Sequence, residues 1–194
     1  MLIHASPKLK DTISTYCLEK SLHVICQVPG ATSYRDYGAT KEMEVKAITL
    51  EDDLNLLVSE INEASWDESN EISSYDTDSL IAYLERSDTI FVTCHDRSGD
   101  IPVLMGMASS RIEMKPYGKA LWLYVDELDV CSDQRQRGAG KLMMKKLLDI
   151  AESNGCEELW LGTEIDNHPA NALYRSLNPD DESVVVGYTY ETDE

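Results

Sequence analysis

A strand-like segment that runs directly into an arginine- and glycine-rich turn, and then into an amphipathic helix-like segment, constrains this sequence most. The segment ALWLYVDELDVC alternates apolar residues as a β-strand does, and KLMMKKLLDIAESNG repeats them at helical spacing. Between the two lies RQRGAG, residues 135–140. This order predicts an α/β unit in which the turn leads into a helix start with unsatisfied backbone N–H groups.

The start of this helix is suited to bind an anion. Its free N–H groups and the positive end of its dipole point toward a ligand placed there. Gly138 and Gly140 would let the main chain approach an oxyanion closely and adopt positive φ, and Arg135, Arg137 and Lys141 add positive charge. The alternative interpretation is a glycine-softened helix start with solvated cations, and the turn alone does not separate the two.

Two common phosphate-binding loops are excluded by the residues present. A P-loop would need glycine in place of Arg135 and serine or threonine in place of Leu142, and a dinucleotide-binding turn would need a small residue in place of Met143. The formal charge of the chain is −19, from 17 basic and 36 acidic residues. Because such a charge repels phosphate backbones, it disfavours general nucleic-acid binding and favours cationic partners or simply solubility.

Composition also limits where the chain can reside. No segment approaches the roughly 18 apolar residues of a membrane helix, and the N-terminus lacks the apolar core of a secretory signal, so we expect a cytoplasmic protein without a membrane span. The five cysteines are odd in number and show no metal-ligand spacing. We therefore expect reduced, packing cysteines and no metal site.

The rest of the chain predicts one domain after an N-terminal extension. Residues 1–42 show no clear pattern and are predicted to be an extension of unknown role, and residues 43–194 are predicted to form the domain. The domain begins with a strand, EMEVKAITL, and a helix capped by Thr49, LEDDLNLLVSEINEA. A second helix, DSLIAYLERS, precedes a hairpin of TIFVTCHD and IPVLMGMASSRIEMK. After the long helix, EELWLGTE predicts a strand, HPANALYRSL a helix and SVVVGYTYE a final strand.

Two motifs and the order of elements together resemble the GCN5-related N-acetyltransferase (GNAT) family. RxxGxG between strand and helix resembles the family's pyrophosphate-binding turn, and EIDNHPANALYRSL resembles its second cofactor motif, with Asn171 and Tyr174 at the matching positions. The resemblance implies the GNAT fold of the α/β (α+β) class, a mixed, mostly antiparallel central sheet flanked by about four helices. Many members continue the tyrosine helix into Gly-Phe or Gly-Tyr, whereas this chain has LNPDD, so we expect the last strands to be connected differently.

The resemblance also implies acetyl-CoA as the acyl donor and a set of residues that would hold it. The backbone of the strand before the turn would face the thioester, with the Val130 amide as oxyanion donor. The implied cofactor-binding residues are Leu128, Val130, Arg135, Gln136, Arg137, Gly138, Ala139, Gly140, Lys141, Asn171 and Tyr174.

Three carboxylates on the strand before the turn are the candidate groups for handling an amine. Period-two alternation puts Glu127 and Asp129 on one face and Asp126 on the other, unless a bulge intervenes. Adjacent carboxylates raise one another's proton affinity, which suits a general base, and Glu127 is the first choice for that role. Asp126 and Asp129 are expected to bind the acceptor. The alternative is that Glu127 only binds substrate while a water relay removes the proton.

Tyr174 is the candidate acid, because a phenol can protonate a departing thiolate. The alternative is a packed helix tyrosine with a satisfied hydroxyl. His168 is expected to have a capping or surface role, since a cationic histidine is disfavoured at a helix N-terminus. Cys131 has no histidine beside it, so direct transfer in a ternary complex is favoured over an acetyl-cysteine intermediate.

Acidic residues gather where this fold would place the acceptor. Besides the three on the central strand, they lie in the loop between the first two helices and in the tail: Asp67, Glu68, Glu71, Asp76, Asp78, Glu191, Asp193 and Glu194. Such a field attracts polycationic amines, and an acid at Glu127 resembles the pattern of the aminoglycoside 3-N-acetyltransferase branch. We expect an N-acetyltransferase for a small, cationic, aminoglycoside-like amine. A protein or peptide N-acetyltransferase and a non-catalytic acyl-CoA-binding module stay open, and the family's habit of dimerising makes a homodimer possible.

Overall fold

The computed structural model describes residues 42–67 and 72–192, in which four helices surround one sheet of five strands. The strands are β1 Met43–Ala47, β2 Thr89–Asp96, β3 Val103–Met114, β4 Leu121–Val130 and β5 Glu158–Trp160. The helices are α1 Leu54–Glu63, α2 Thr77–Leu84, α3 Ala139–Ser153 and α4 His168–Arg175.

The sheet is mixed and mostly antiparallel, with the strands in the order β1-β2-β3-β4-β5. Only β4 and β5 are parallel, because the chain crosses from one to the other through α3. One face of the sheet packs Leu123 and Val92 against Met143 and Leu147 of α3. The other face packs Phe91 and Met107 against the apolar sides of α1 and α2. The expected fold class is therefore confirmed.

β4 contains a bulge, and the bulge corrects the expected alternation of its carboxylates. Ser109 of β3 lies opposite Glu127 and Ser110 lies opposite Val125, so Asp126 is an extra residue in the ladder. Two residues of the bulged strand then oppose one residue of the partner strand, and the period-two alternation of side chains fails at that point. Asp126 pairs with Arg111, which shares a face of β3 with Ser109, so Asp126 lies on the same face as Glu127 and not on the opposite one.

The first helix begins later than the sequence predicts. Thr49 was the expected cap, but the cap is Asp53, whose carboxylate accepts from the Leu56 N–H at 3.0 Å. Thr49 and Asp52 instead form a turn before the helix, in which the Thr49 N–H donates to the Asp52 carboxylate at 2.9 Å. Leu50 is consequently outside the apolar stripe and is exposed.

The predicted final strand is wrong for this structure. SVVVGYTYE, residues 183–191, follows α4 as an extended segment that pairs with no strand in the described part of the chain. Apolar alternation shows that a segment can bury one face, but a strand also requires a neighbour for its backbone hydrogen bonds.

The predicted division into residues 1–42 and 43–194 stays a prediction, because residues 1–41 lie outside the described part of the chain. None of the helices in the described ranges has the length and apolar character that crossing a bilayer requires.

Candidate active site

The C-terminal half of β4 has an open edge lined by main-chain N–H groups. β5 pairs with β4 only at Trp122, Leu123 and Tyr124, so in residues 42–67 and 72–192 no strand lies beside β4 after that point. The Cys131 N–H donates to the Met105 carbonyl on the β3 side at 2.9 Å. Because N–H directions alternate along a strand, the amides of Val130 and Leu128 point to the open edge.

Gly106 of β3 supports this stretch of β4 from the side. A Cβ at Gly106 would lie 2.5 Å from the Asp129 carbonyl oxygen and 2.9 Å from the terminal methyl of Met143. The first contact is with backbone and cannot be relieved by a rotamer change. Glycine at this position therefore lets β3 approach the part of β4 that carries the Val130 amide.

The turn before α3 has the backbone conformation that the anion-binding interpretation requires. Gln136 has φ +61° and Gly138 has φ +97°, and no side chain caps the helix at Gly138. Gly138 thus passes from a left-handed conformation directly into α3, and left-handed residues in such a turn can direct main-chain N–H groups toward an anion. The first N–H groups of α3 are thus available at the turn.

Gly140 does not have the positive φ expected of it. It lies inside α3 and is buried, and only Gly138 of the two glycines has a positive φ. A Cβ at Gly140 would lie 3.0 Å from Leu173 of α4 and 3.4 Å from Val130. Gly140 therefore allows α3, α4 and β4 to pack closely beside the turn.

The basic residues of the turn each contact a protein oxygen. Arg135 donates to the Asp67 carboxylate at 2.7 Å, and the Lys141 ammonium lies 3.5 Å from the Ser176 carbonyl. Arg137 pairs with Asp96 at the end of β2. The N–H and hydroxyl of Ser98, and after them Arg137, lower the pKa of Asp96 to about 2. The turn is therefore fastened to the sheet by a carboxylate that stays ionised at any physiological pH.

The three carboxylates of β4 share a surface with Tyr75, which we call the acidic face: Tyr75, Asp126, Glu127 and Asp129. The Tyr75 hydroxyl donates to Glu127 Oε2 at 3.4 Å, and the Ser109 hydroxyl donates to the same oxygen at 3.3 Å. Asp129 lies opposite Met107, whose side chain packs on the α1 and α2 side of the sheet. The bulge and the pairing with β3 thus bring together the three carboxylates that the sequence singles out.

Tyr75 is a site residue that sequence reasoning missed. Asn62 of α1 holds its backbone through two hydrogen bonds of 2.9 Å, one to the Tyr75 carbonyl and one from the Tyr75 N–H. Its ring packs against Phe91 with the centroids 6.0 Å apart. Burial, and after it the negative charge of Glu127, raises the pKa of Tyr75, so the hydroxyl stays a donor. The available signal was an aromatic residue in a mostly polar loop, immediately before the helix cap Asp76.

Tyr174 of α4 is partly buried against the α3 side of the core. Burial, and after it the charges of Asp129 and Glu164, raises the pKa of the Tyr174 phenol. Asn171, one turn earlier, donates through its side-chain amide to the carbonyls of Glu164 and Asn167, both at 2.9 Å. Asn171 therefore ties the β5–α4 connection to the helix that carries Tyr174.

Several expected groups have local structural roles. The cap of α4 is Asn167, and His168 is an exposed residue of the first turn. Asp76 caps α2 through the Ser79 N–H at 3.0 Å, and Asp78 lies in the first turn of α2. Glu68, Glu71, Asp193 and Glu194 lie outside the described residues.

Cys131 does not have the properties of a nucleophile. Its side chain is buried, its thiol lies 3.4 Å from the Leu104 carbonyl, and burial raises its pKa to about 12. A thiol with such a pKa is protonated at neutral pH and is a poor nucleophile. In the ranges that the structure describes, no cluster of three or more histidine, cysteine or acidic residues could hold a metal ion.

The family model for the acetyltransferase (GNAT) family matches residues 55–178, which include the turn, β4 and α4. The chain belongs to the GNAT family. It is therefore an acetyltransferase of the acyltransferase class, as the two motifs indicate. No curated protein matches its sequence.

Solved GNAT structures share the fold of this chain. An aminoglycoside acetyltransferase, meta-AAC0020 from an uncultured soil metagenomic sample, is 19% identical with a TM-score of 0.66, covering 78% of this chain and 97% of that one. AAC(6')-Iy, solved with a bisubstrate analogue, is 15% identical with a TM-score of 0.58, covering 77% and 99%. A Trypanosoma brucei acetyltransferase is 18% identical with a TM-score of 0.57, covering 77% and 100%.

GNAT enzymes use acetyl-CoA, and the residues of this GNAT chain fit its chemistry. The N–H groups of the turn and the start of α3 suit a pyrophosphate, with Arg135, Arg137 and Lys141 close by in sequence. The open edge of β4 suits an extended amide-containing arm, which can hydrogen-bond as a strand would. The acidic face lies on the side of the sheet that α1 and α2 cover.

Proposed function

We propose that this chain transfers an acetyl group from acetyl-CoA to a primary amine of a small, cationic, aminoglycoside-like acceptor, by direct attack in a ternary complex. The observation that carries the proposal is the position of Glu127. Its carboxylate lies on the acidic face, fixed by Tyr75 and Ser109, and the next residue, Leu128, is one of the two whose amides point to the open edge of β4. A base for the amine and amides for the thioester carbonyl are thus neighbours on one strand.

The donor would be held by the chain's own main-chain amides and basic side chains. Bound acetyl-CoA supplies an acetyl thioester, whose carbonyl carbon is the electrophile. Gln136, Gly138, Ala139 and Gly140 would contribute main-chain N–H groups, and Arg135, Arg137 and Lys141 would contribute charge. Leu128 and Val130 would bind along the open edge, beside Asn171 and Tyr174 of α4.

Glu127 would act as the general base. An acceptor amine arrives as an ammonium ion, and its nitrogen becomes a nucleophile only after losing a proton. Glu127 takes that proton directly or through one water, and Asp126 and Asp129 hold the remaining positive charge of the acceptor. Tyr75 and Ser109 both donate to Glu127 Oε2, which leaves Oε1 to receive the proton.

The Val130 amide would stabilise the charge that develops on the carbonyl oxygen. As the bond from nitrogen to carbonyl carbon forms, the oxygen becomes negative, and a preorganised N–H donor can lower this barrier by several kcal/mol. The tetrahedral species collapses when the carbon–sulfur bond breaks. Tyr174 then gives its phenolic proton to the leaving thiolate, and the nitrogen loses its second proton as the amide forms. Of the two protons that the ammonium ion loses, one restores the Tyr174 phenol and the other passes from Glu127 to solvent.

Charge and fold similarity favour a small polycationic acceptor. The acidic face carries three carboxylates in a chain of charge −19, which raises the local concentration of cations. Of the solved structures with this fold, meta-AAC0020 was solved with sisomicin, and AAC(6')-Iy with CoA-S-monomethyl-acetylneamine. A peptide acceptor and a non-catalytic acyl-CoA-binding role are the competing functions.

The decisive experiment measures thiol release from acetyl-CoA with the purified chain and a panel of aminoglycosides, polyamines and basic peptides. Glu127→Gln and Tyr174→Phe are compared with two exposed controls, Glu152→Gln on α3 and Tyr117→Phe in the β3–β4 turn. We expect turnover with an aminoglycoside that only the two site variants lose. Turnover with peptides alone would show that the acceptor is a peptide and not an aminoglycoside. CoA binding without turnover across the panel would favour the non-catalytic role.

A further inference from the structure

We propose that Arg111 of β3 is a specificity-determining residue of the acidic face: by pairing with Asp126, it disfavours acceptors that carry a second ammonium group beside the reacting amine and favours acceptors with a hydroxyl group there. The inference rests on the proposed function, since it concerns the acceptor of the same site. Arg111 Nη1 pairs with the Asp126 carboxylate, and the two side chains are 39% and 35% exposed. Both are therefore within reach of an acceptor in solution, which must compete with Arg111 for Asp126.

Arg111 lies next to the residues that hold the proposed base. Ser109 and Arg111 are two residues apart on one face of β3, about 7 Å along a strand, and the Ser109 hydroxyl donates to Glu127 Oε2 at 3.3 Å. The bulge of β4 places Asp126 on the same face. An acceptor with its amine at Glu127 therefore meets this ion pair wherever it extends along β3 toward Arg111.

Three contacts hold the Arg111 guanidinium in this position. Its Nε donates to the Glu113 carboxylate at 2.7 Å, and the guanidinium carbon lies over the Tyr124 ring, 5.3 Å from the centroid. The ion pair with Asp126 is the third contact. Charge-assisted hydrogen bonds and a cation–π contact act together here, and moving the guanidinium aside would break all three contacts. An acceptor therefore meets Arg111 as a fixed positive charge.

The surface beyond Arg111 is aromatic and not acidic. Leu123 packs on the α3 side of the sheet, so Trp122 and Tyr124 lie on the side of the acidic face, with their ring centroids 6.1 Å apart. The Lys115 ammonium lies over both rings, 4.5 and 4.4 Å from the centroids of Trp122 and Tyr124. Aromatic rings attract cations, and these two rings already hold two cations of the chain itself. The part of the acceptor that lies above them should accordingly be neutral.

The charge of Arg111 is large enough to discriminate between two kinds of acceptor. Two like unit charges about 5 Å apart repel each other enough to change a dissociation constant by at least about threefold, even in water with moderate salt. A linear polyamine carries ammonium groups along its whole length, so one of them approaches Arg111 when another lies at Glu127. An amino sugar carries hydroxyl groups beside its amine. These groups meet no such repulsion and can donate hydrogen bonds to Asp126.

The test measures the dissociation constants of spermidine, a polyamine, and glucosamine, an amino sugar with one amine, by NMR titration of the full chain with CoA bound at low salt. Arg111→Gln should lower the constant of spermidine by about three- to tenfold and change that of glucosamine by less than about twofold. Arg97→Gln is the matched control, because Arg97 forms an exposed ion pair with Glu44 at the opposite end of β2. It removes the same charge and should change neither constant by more than about twofold, since solvent and salt screen a charge at that distance.

A second background shows whether Arg111 acts through Asp126. In Asp126→Asn, the substitution Arg111→Gln should lose most of its effect on spermidine, because the carboxylate that it uncovers is absent. A gain in spermidine affinity that persists there would overturn the inference. So would an unchanged spermidine constant in Arg111→Gln, or equal changes for both probes, which would mean that Arg111 shapes the face and does not set its charge.

The outcome for Arg111 can be separated from the outcome for the proposed function, because the titrations require no turnover. Tighter spermidine binding in Arg111→Gln without acetyl transfer to any acceptor of the panel would contradict the proposed function and leave the role of Arg111 in amine selection intact. Acetyl transfer with no selective change in Arg111→Gln would do the reverse. A chain that binds neither probe would overturn the inference, since its acidic face would then not bind amines.

Discussion

The donor side of the candidate site is composed mainly of main-chain groups from two short segments, whereas the acidic face is composed of side chains from segments far apart in the chain. Leu128, Val130 and residues 136–141 would contribute N–H groups, and a strand edge and a helix start are enough to present them. The acidic face instead requires Tyr75 and Ser109 to meet Glu127, and Asn62 to hold the backbone of Tyr75. A backbone site tolerates many side-chain changes, whereas a side-chain site is weakened by the loss of a single polar atom.

The largest effect that separates the two sides is expected for Glu127→Gln. The amide keeps the size of the side chain and its hydrogen bonds but cannot accept a proton from an ammonium ion. We expect kcat to fall by at least about a hundredfold, the range of general base catalysis, while the dissociation constant of CoA measured by calorimetry stays unchanged. A large change in CoA affinity would mean that the two sides are not independent. Full activity would favour the water relay.

The donor side is tested by Gly138→Ala, with Gly155→Ala as its matched control. Both glycines adjoin α3, have positive φ, +97° and +69°, and have open space where the Cβ of an alanine would lie. Each substitution should therefore lower the free energy of unfolding by about 1–2 kcal/mol, because a Cβ is disfavoured at positive φ. Only Gly138→Ala should also weaken CoA binding, since its N–H groups line the turn. Equal CoA affinity in both variants would remove the turn from the donor site.

The difference between contiguous main-chain segments and side chains from distant segments also decides what the sequence could predict. The RxxGxG turn, the strand before it and the helix after it are contiguous, so local spacing predicted β4, the turn and α3. Contacts between residues far apart in the chain leave no such pattern in the local sequence. The bulge at Asp126 depends on register with β3, and the bond from Tyr75 to Glu127 spans 52 positions of sequence. The predicted final strand failed for a related reason, because its pattern specifies a face and not a neighbour.

A smaller effect is expected for Tyr75→Phe, which removes one donor to Glu127 and keeps the packing against Phe91. A hydrogen bond contributes about 0.5–1.5 kcal/mol net, so kcat/KM for the acceptor should fall about two- to tenfold, with CoA affinity unchanged. Tyr117→Phe, at an exposed tyrosine, serves as the control. A loss of CoA affinity in Tyr75→Phe would show that this tyrosine acts on the donor side.

The smallest effect is expected for Asp96, whose carboxylate pairs with Arg137 and so links the turn of the donor side to β2. Its pKa of about 2 lies below the value near 3.9 of an unfolded chain, so its ionisation stabilises the folded state above about pH 4, and this contribution is lost as the pH falls toward 2. Asp96→Asn removes the charge that holds Arg137. The difference in unfolding free energy between the two proteins, measured with urea, should therefore shrink between pH 5 and pH 2.5. If the difference is the same at both pH values, Asp96 acts through packing, and the turn is held by its backbone alone.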